Sequence, residues 1–356
     1  MIRLRVLLAA TFALFLVATA GCSQPASPAP TQAPAPPKAV EPTTAPMAPT
    51  NAPAAKADWP QKGKVISLVV AYPAGGDVDV GARILAPLLE KELGTPVQVV
   101  DKAGAGGQVG ITELSMAKPD GYTLGYTPIP SSITMYLDPA RKSVFTRKSF
   151  QPVGNHVVES DIIAVSADSP YKTLKDLIDA AKAKPNTISV GFTGVLSHQH
   201  LAILQLEKLT GTRFNIVSFD GAAPALTALL GGHTQVQVGS AGAFLPQVKS
   251  GTVRLLAILD KQPTKFFPDL KTATDQGYPV VMATIRILSV PAGTPKDAVD
   301  ALSGAIRQAL NSPEHQQKMD ASGLTARAMT PAEAESTWAE MESQVRPLMD
   351  LAKEQQ

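Results

Sequence analysis

From residue 64 onward the apolar positions follow two alternating rhythms. Val65, Ile66, Leu68, Val69 and Val70 form a short apolar run over 64–72, which predicts a buried strand ending on Pro73-Ala74-Gly75-Gly76. Val80, Ile84, Leu85, Leu88 and Leu89 then recur at helical spacing until Gly94 stops them ahead of a second strand at 96–100. Strand, helix and strand in that order predict a parallel sheet. The alternation continues, with strands predicted at 123–127, 162–166, 188–192, 214–219, 236–238, 255–259 and 285–290. Helices are predicted at 174–183, 200–209, 224–230, 296–311, 313–322 and 331–352, and no internal repeat is visible.

The chain opens on a different pattern. Arg3 and Arg5 precede an uncharged apolar run over 6–18, and small residues lead from there to Cys22. The run is short for a membrane span, so residues 1–21 read as an export signal that is removed. Thr19-Ala20-Gly21-Cys22 resembles a bacterial lipobox in which Cys22 carries the lipid, with Thr19 standing where Leu is commonest. Cys22 is the only cysteine, so an exported chain has no means of forming an internal disulfide, and acylation accounts for the residue. Ten of the residues in 23–58 are Pro and eleven are Ala, a composition that predicts an extended tether rather than a packed domain. Residues 22–58 are thus expected to be a lipidated cysteine plus tether, holding the protein to the cell membrane, facing the periplasm or the cell exterior.

The formal charge of +2 disappears once Arg3 and Arg5 are removed, which leaves 30 residues of each sign. With no Lys/Arg cluster interleaved with aromatics, nucleic acid is not an expected partner. Residues 59–356 are enough for two lobes.

In an open α/β sheet, ligands gather beyond the carboxyl ends of the strands, where helix N-termini favour anions. Gly75-Gly76, Gly104 with Gly106-Gly107, Gly191 with Gly194, Gly221 and Gly239 all follow predicted strands. Val109 occupies the place of the third glycine of a dinucleotide fingerprint, so no cofactor is expected. His198 and His200 lack the cysteines or acidic pair that would complete a metal site, and His200 is expected to pack or cap at its helix start. Thr193 and Ser197 can either cap that helix or bind a carboxylate. No Gly-x-Ser-x-Gly elbow occurs, and no base is placed for a nucleophile, so an enzyme is not expected.

Longer motifs carry a resemblance. They are Trp59-Pro60; Val69-Val70-Ala71-Tyr72-Pro73-Ala74-Gly75-Gly76; Asp79 with Ala82-Arg83; Ala103-Gly104-Ala105-Gly106-Gly107; Pro119-Asp120-Gly121-Tyr122-Thr123-Leu124; Ala223-Pro224-Ala225-Leu226; Leu229-Leu230-Gly231-Gly232; and Pro291-Ala292-Gly293-Thr294-Pro295. In this order, over essentially all of 59–352, they resemble the periplasmic solute receptors of tripartite tricarboxylate transporters, also called Bug receptors. The resemblance implies a type 2 periplasmic-binding-protein fold, α/β, with two lobes joined by two crossover strands. Lobe one is expected at 59–157 and 289–356, and lobe two at 158–288, with crossings near 157–164 and 285–288. It further implies a receptor that captures a small carboxylated solute and delivers it to the membrane subunits of a tripartite permease. A ligand-sensing subunit for a signalling partner, or an exported enzyme using the same cleft, are the alternatives.

The ligand residues expected on this basis are Tyr72, Pro73, Ala74, Gly75, Gly76, Asp77, Asp79 and Thr127 on one side. Thr193, Gly194, Ser197, Phe219, Gly221, Ala222, Gly239 and Ser240 are expected on the other, with Arg286 at a crossing. Backbone donors of 74–77 and 194–197 are expected to face the ligand. Tyr72 and Phe219 either stack on it or belong to the core, and Asp79 either faces it or caps the following helix. The chain departs from the common pattern at Asp77-Val78-Asp79, where many members have Gly-Thr-Asp, at Asp220 in place of lysine, at Gly239 in place of an acid, and at Arg286 in place of an aromatic. Arg286 is read either as a bidentate clamp on a ligand carboxylate or as an ion-pair partner of Asp161 or Glu159. Together these departures suit a solute with one acid and one donor or cationic group better than a tricarboxylate.

Overall fold

The computed structural model describes residues 59–219 and 221–354, so the export segment, Cys22, the tether and Asp220 lie outside the described residues. The first elements are β1 (Ile66–Val70), α1 (Asp77–Leu93), β2 (Val97–Asp101), α2 (Gln108–Met116), β3 (Thr123–Ile129), α3 (Ser131–Leu137) and β4 (Phe150–Ser166). Next come α4 (Leu174–Ala183), β5 (Ser189–Thr193), α5 (His198–Thr210), β6 (Asn215–Phe219), α6 (Ala222–Leu230), β7 (Val236–Ser240), α7 (Ala241–Lys249) and β8 (Val253–Ile258). The chain ends on β9 (Ala283–Pro291), α8 (Lys296–Asn311), α9 (Pro313–Ala321) and α10 (Pro331–Glu354).

Local chemistry explains many of the boundaries. The Gly94 N–H closes α1 on the Glu90 carbonyl, and Thr173 with Asp176 forms a reciprocal capping box at the start of α4. Ser312 caps α9, with Pro313 in the first turn, where a missing N–H costs nothing.

The strands form two sheets that share β4. The first has the order β2-β1-β3-β9-β4, with β1 parallel to β2 and β3, and β9 antiparallel to both of its neighbours. In the second, β4 runs antiparallel to β7 and β8, while β5 lies parallel to β6 and β7. The change of partner is sharp: Ser160 pairs with Ala283 of β9, and Asp161 pairs with Ser240 of β7. Residues 285–288, where one crossing was expected, pair inside the first sheet with both β3 and β4.

One apolar core runs along a single face of both sheets. There α2 and α10 (Ile111, Leu114, Trp338, Met341, Val345) cover Ile285 and Ile287, while α4 and α5 (Leu177, Ile178, Leu204) cover Ile163, Val190 and Val238. On the opposite face α1 and α8 seal the first sheet through Leu85, Leu89, Leu302 and Ile306, and α7 seals the second through Phe244. Helix α2 sits so close to the first sheet that a Cβ on Gly110 would lie 2.8 Å from the Ala71 Cα and from the Lys102 carbonyl oxygen. Gly110→Ala is therefore expected to lower the unfolding free energy in urea by about 2 kcal/mol, overpacking outweighing the better helix propensity of alanine.

Candidate functional site

Strand register places the site. The carboxyl end of β3, at Ile129, lies beside Ile285, which lies beside Val158 of β4. The carboxyl end of β7, at Ser240, lies beside Asp161 of the same strand. The carboxyl ends of β3 and β7 therefore both lie near Val158–Asp161, the point where β4 changes sheets, the kind of place where α/β proteins of this class bind ligands.

Three side chains of opposite charge meet there. Arg286, 4% exposed, donates from Nη2 to Glu159 Oε2 at 2.6 Å and from Nη1 to the Asp77 carbonyl at 3.1 Å; the Asp77 carboxylate lies 4.0 Å away. Glu159 and Thr284 are directly opposite in the β4–β9 ladder, and Arg286 follows Thr284 by two residues, so all three share a face. The Arg286 Nε and the Thr284 Oγ1 are buried without hydrogen-bond partners among the described residues. Beside them Asp161 holds Nδ1 of His198, the first residue of α5, at 2.7 Å.

Beside this cluster, α1 and α7 start at Gly76 and Ser240, and beyond the edge strand β6 helix α6 starts at Gly221, with no side chain among the described residues capping their first-turn donors. By contrast, α4, α5 and α9 are capped by Thr173, Ser197 and Ser312. Uncapped first-turn N–H groups are standing donors for an anion.

A family model described as "Tripartite tricarboxylate transporter family receptor" matches residues 81–350. The chain belongs to that receptor family. Among curated relatives, the UPF0065 protein in the gbd 5' region of Cupriavidus necator is 32% identical over 272 residues, covering 74% of this chain and 80% of the relative. Protein BugT of Bordetella pertussis is 30% identical over 272 residues, covering 75% and 82%. The crystal structure of a TctC solute binding protein from Polaromonas superposes with a TM-score of 0.75 at 29% identity, covering 81% of this chain and 99% of that one. The protein is thus a solute-binding receptor with the α/β periplasmic-binding-protein fold, and it is not an enzyme.

In this receptor several expected ligand groups are already engaged. The Asp79 carboxylate is buried, accepts the Gly75 N–H at 2.7 Å and pairs with Arg83 Nε at 2.7 Å. It braces the loop and is not available to a ligand. Burial opposes its ionisation, but the Arg83 and Gly75 bonds outweigh this and hold it below the ordinary carboxylate range. The Gly76 N–H is taken by the Pro73 carbonyl, so neither glycine of the pair offers a donor, although Pro73, Ala74 and Asp77 are exposed. Thr127 is fully buried against the Ser289 hydroxyl and lies outside the cleft.

On the second sheet, Thr193 is bonded to the Gln199 amide oxygen through both its N–H and its hydroxyl. Ser197 takes the capping role: its oxygen accepts from His200 N–H, while its own N–H is bonded to the Gly194 carbonyl. His200 packs as expected, stacked on Phe192 at 4.9 Å and accepting the Leu196 N–H. The Tyr72 ring lies against Gly107 and the Phe219 ring against Gly191, so both aromatics are half-buried wall. A Cβ at Gly239 would approach the Phe244 ring to 2.9 Å, which explains why no acid stands there: Phe244 occupies its space. Gly221, Ala222 and Ser240 keep places at free helix starts.

Arg286 makes the Glu159 ion pair, so two sides of its fork are occupied. Sequence reasoning overlooked Thr284 and set His198 aside after weighing only a metal role. Neither lies within a motif, and only the β4–β9 register and the buried Asp161 bring them to the site.

Proposed function

We propose that this receptor captures a small carboxylated solute between its two sheets and hands it to the membrane subunits of a tripartite tricarboxylate-type permease. The observation that carries the reading is the meeting of two uncapped helix starts, those of α1 and α7, at the point where β4 changes sheets. Those donors are suited to one carboxylate, while Asp77 and Glu159 beside Arg286 disfavour further negative charge and suit a donor or cationic group. A solute with one acid and one such group fits this mix better than a tricarboxylate. The lobes are taken to hinge at Ser160–Asp161 and just before Ala283, a few residues from the boundaries at 157–158 and 288–289 expected from sequence. Closure then follows from the solute's greater affinity for the shut form.

The export signal, Cys22 and the tether complete the reading as a lipid-anchored receptor outside the cytoplasmic membrane. Cys22→Ser is expected to release the protein from membranes into the soluble fraction, and retention that still requires detergent would contradict the anchor. The solute is tested by a thermal-shift screen of mono-, di- and tricarboxylates, amino acids and aromatic acids. A true ligand at 100 times its Kd adds about 2.7 kcal/mol of stability. A screen with no stabiliser, or only non-acidic ones, would refute the carboxylate assignment.

A further inference from the structure

Asp161 is a fully buried carboxylate at the residue where β4 passes from one sheet to the other. Its Oδ2 faces His198 Nδ1, and its Oδ1 has no hydrogen-bond partner among the described residues. A carboxylate in that position is tolerated only with a partner, and the start of α5 supplies it. Ser197 caps the helix and so sets His198 as its first residue. With the carboxylate accepting at Nδ1, the neutral ring keeps its proton there and its lone pair on Nε2.

The imidazole is 18% exposed, and Nε2 makes no hydrogen bond among the described residues. The charged groups acting on it are Asp161 and Glu159 from β4 and Arg286 from β9. Burial opposes protonation of the ring, but Asp161, and beyond it Glu159, outweigh burial and raise its pKa above the ordinary value. Arg286, the other cation of the cluster, already holds Glu159 and the Asp77 carbonyl.

Building on the receptor reading above, the geometry points to His198 as the cation that receives the solute's carboxylate in the cleft. Nε2, protonated from solvent before the solute arrives or, above the ring's pKa, as it enters, donates a hydrogen bond to one carboxylate oxygen, while Asp161 holds Nδ1 throughout. The carboxylate approaches a single donor and not a fork. With Glu159 and Asp161 facing the same ring, a second acidic group on the solute is disfavoured, so the class selected is a monocarboxylate.

The test is isothermal titration of the full protein with acetate, β-alanine, glutamate, succinate and citrate at about pH 6, 7.5 and 9, in buffers of different ionisation heat. The best-bound probe is expected to be acetate or β-alanine, each with a single carboxylate, and tightest binding of glutamate, succinate or citrate would overturn the monocarboxylate assignment. Above the ring's pKa the binding of the best probe should take up close to one proton and its affinity should fall about tenfold per pH unit, while at about pH 6, where the ring is already protonated, uptake should be small. His198→Gln keeps a donor for Asp161 but cannot titrate. It should bind the probe at least about tenfold more weakly, with no proton uptake. Equal affinity and an equal pH slope in the variant would overturn the inference while leaving the receptor reading intact. Failure of the native protein to bind any probe would overturn both. If the variant does not fold, the ring nitrogens of native His198, followed by NMR, must shift on adding the best-bound probe; an unmoved Nε2 resonance overturns the assignment.

Discussion

Glu159→Ala is expected to lower the unfolding free energy by about 3 kcal/mol, because it leaves the Arg286 guanidinium buried without its carboxylate. Arg286 is 4% exposed, and after the substitution it retains only the Asp77 carbonyl at 3.1 Å and the exposed Asp77 carboxylate at 4.0 Å. Its Nε already lacks a partner, so there is little spare hydrogen bonding to compensate. Arg286→Met is expected to cost less, since Glu159 is closer to solvent and can be hydrated. The double variant should recover much of the loss, as an apolar pair replaces an ionic one. Urea unfolding of the four proteins forms a double-mutant cycle. A coupling near zero would mean that the pair contributes nothing specific to the fold.

The second large effect is acid destabilisation. Three buried histidines have depressed pKa values: His156 well below its ordinary value, and His200 and His315 at about 4. Burial is the leading cause in each; His315 and Arg286 add to it at His156, and Lys265 adds at His315. The rings are also bonded as neutral species. Tyr126 Oη meets His156 Nδ1 at 2.7 Å, and His156 Nε2 meets His315 Nε2 at 2.9 Å. A group whose folded pKa is depressed stabilises the protein above its unfolded pKa, near 6.5, and loses that contribution as pH falls toward the folded value. Each ring held at about 4 thus removes on the order of 3 kcal/mol between about pH 6.5 and pH 4. The His198–Asp161 pair, with both pKa values raised, acts in the opposite sense but is only one coupled unit against three rings. Thermal unfolding should therefore show a steep fall in melting temperature over this interval. His200→Gln, which can still accept the Leu196 N–H, should flatten the slope by about one proton. A melting temperature independent of pH down to about 4 would contradict the neutral assignment of these rings.

The regular elements were legible wherever one periodicity dominated. Helices α4 and α8 fall where the apolar spacing puts them, because each packs a single stripe: Leu174, Leu177, Ile178 and Ala181 in the first; Val299, Leu302, Ala305, Ile306 and Ala309 in the second. The first half of β4 was not legible. Its residues from Phe150 to Val158 are buried on both faces except at Gln151, so no alternation shows, and the polar Asn155 and His156 interrupt the apolar run. Their partners are distant in sequence: Asn155 Nδ2 donates to the Arg327 carbonyl, and His156 bonds Tyr126 and His315. Helices α2, α3 and α7 also escaped, being short and broken in pattern by Gly110, by the serines at 131–132, and by Gly242 and Pro246.

For the site, sequence located the strand ends but not the state of their donors. Asp79, Thr127, Thr193 and Ser197 are the residue types that bind carboxylates, and they are also the types that cap loops and helices. Only the partners at 2.7–3.3 Å decide which role each plays, and those partners depend on how the loops fold back on their own helices and, for Thr127, on the pairing of β3 with β9.

The central claim, that this receptor closes around a carboxylated solute where β4 changes sheets, is tested most directly by small-angle X-ray scattering during titration with the most stabilising carboxylate. The radius of gyration should decrease and saturate at one solute per chain. A radius unchanged at saturation, with stabilisation intact, would place the solute outside the cleft and contradict the account.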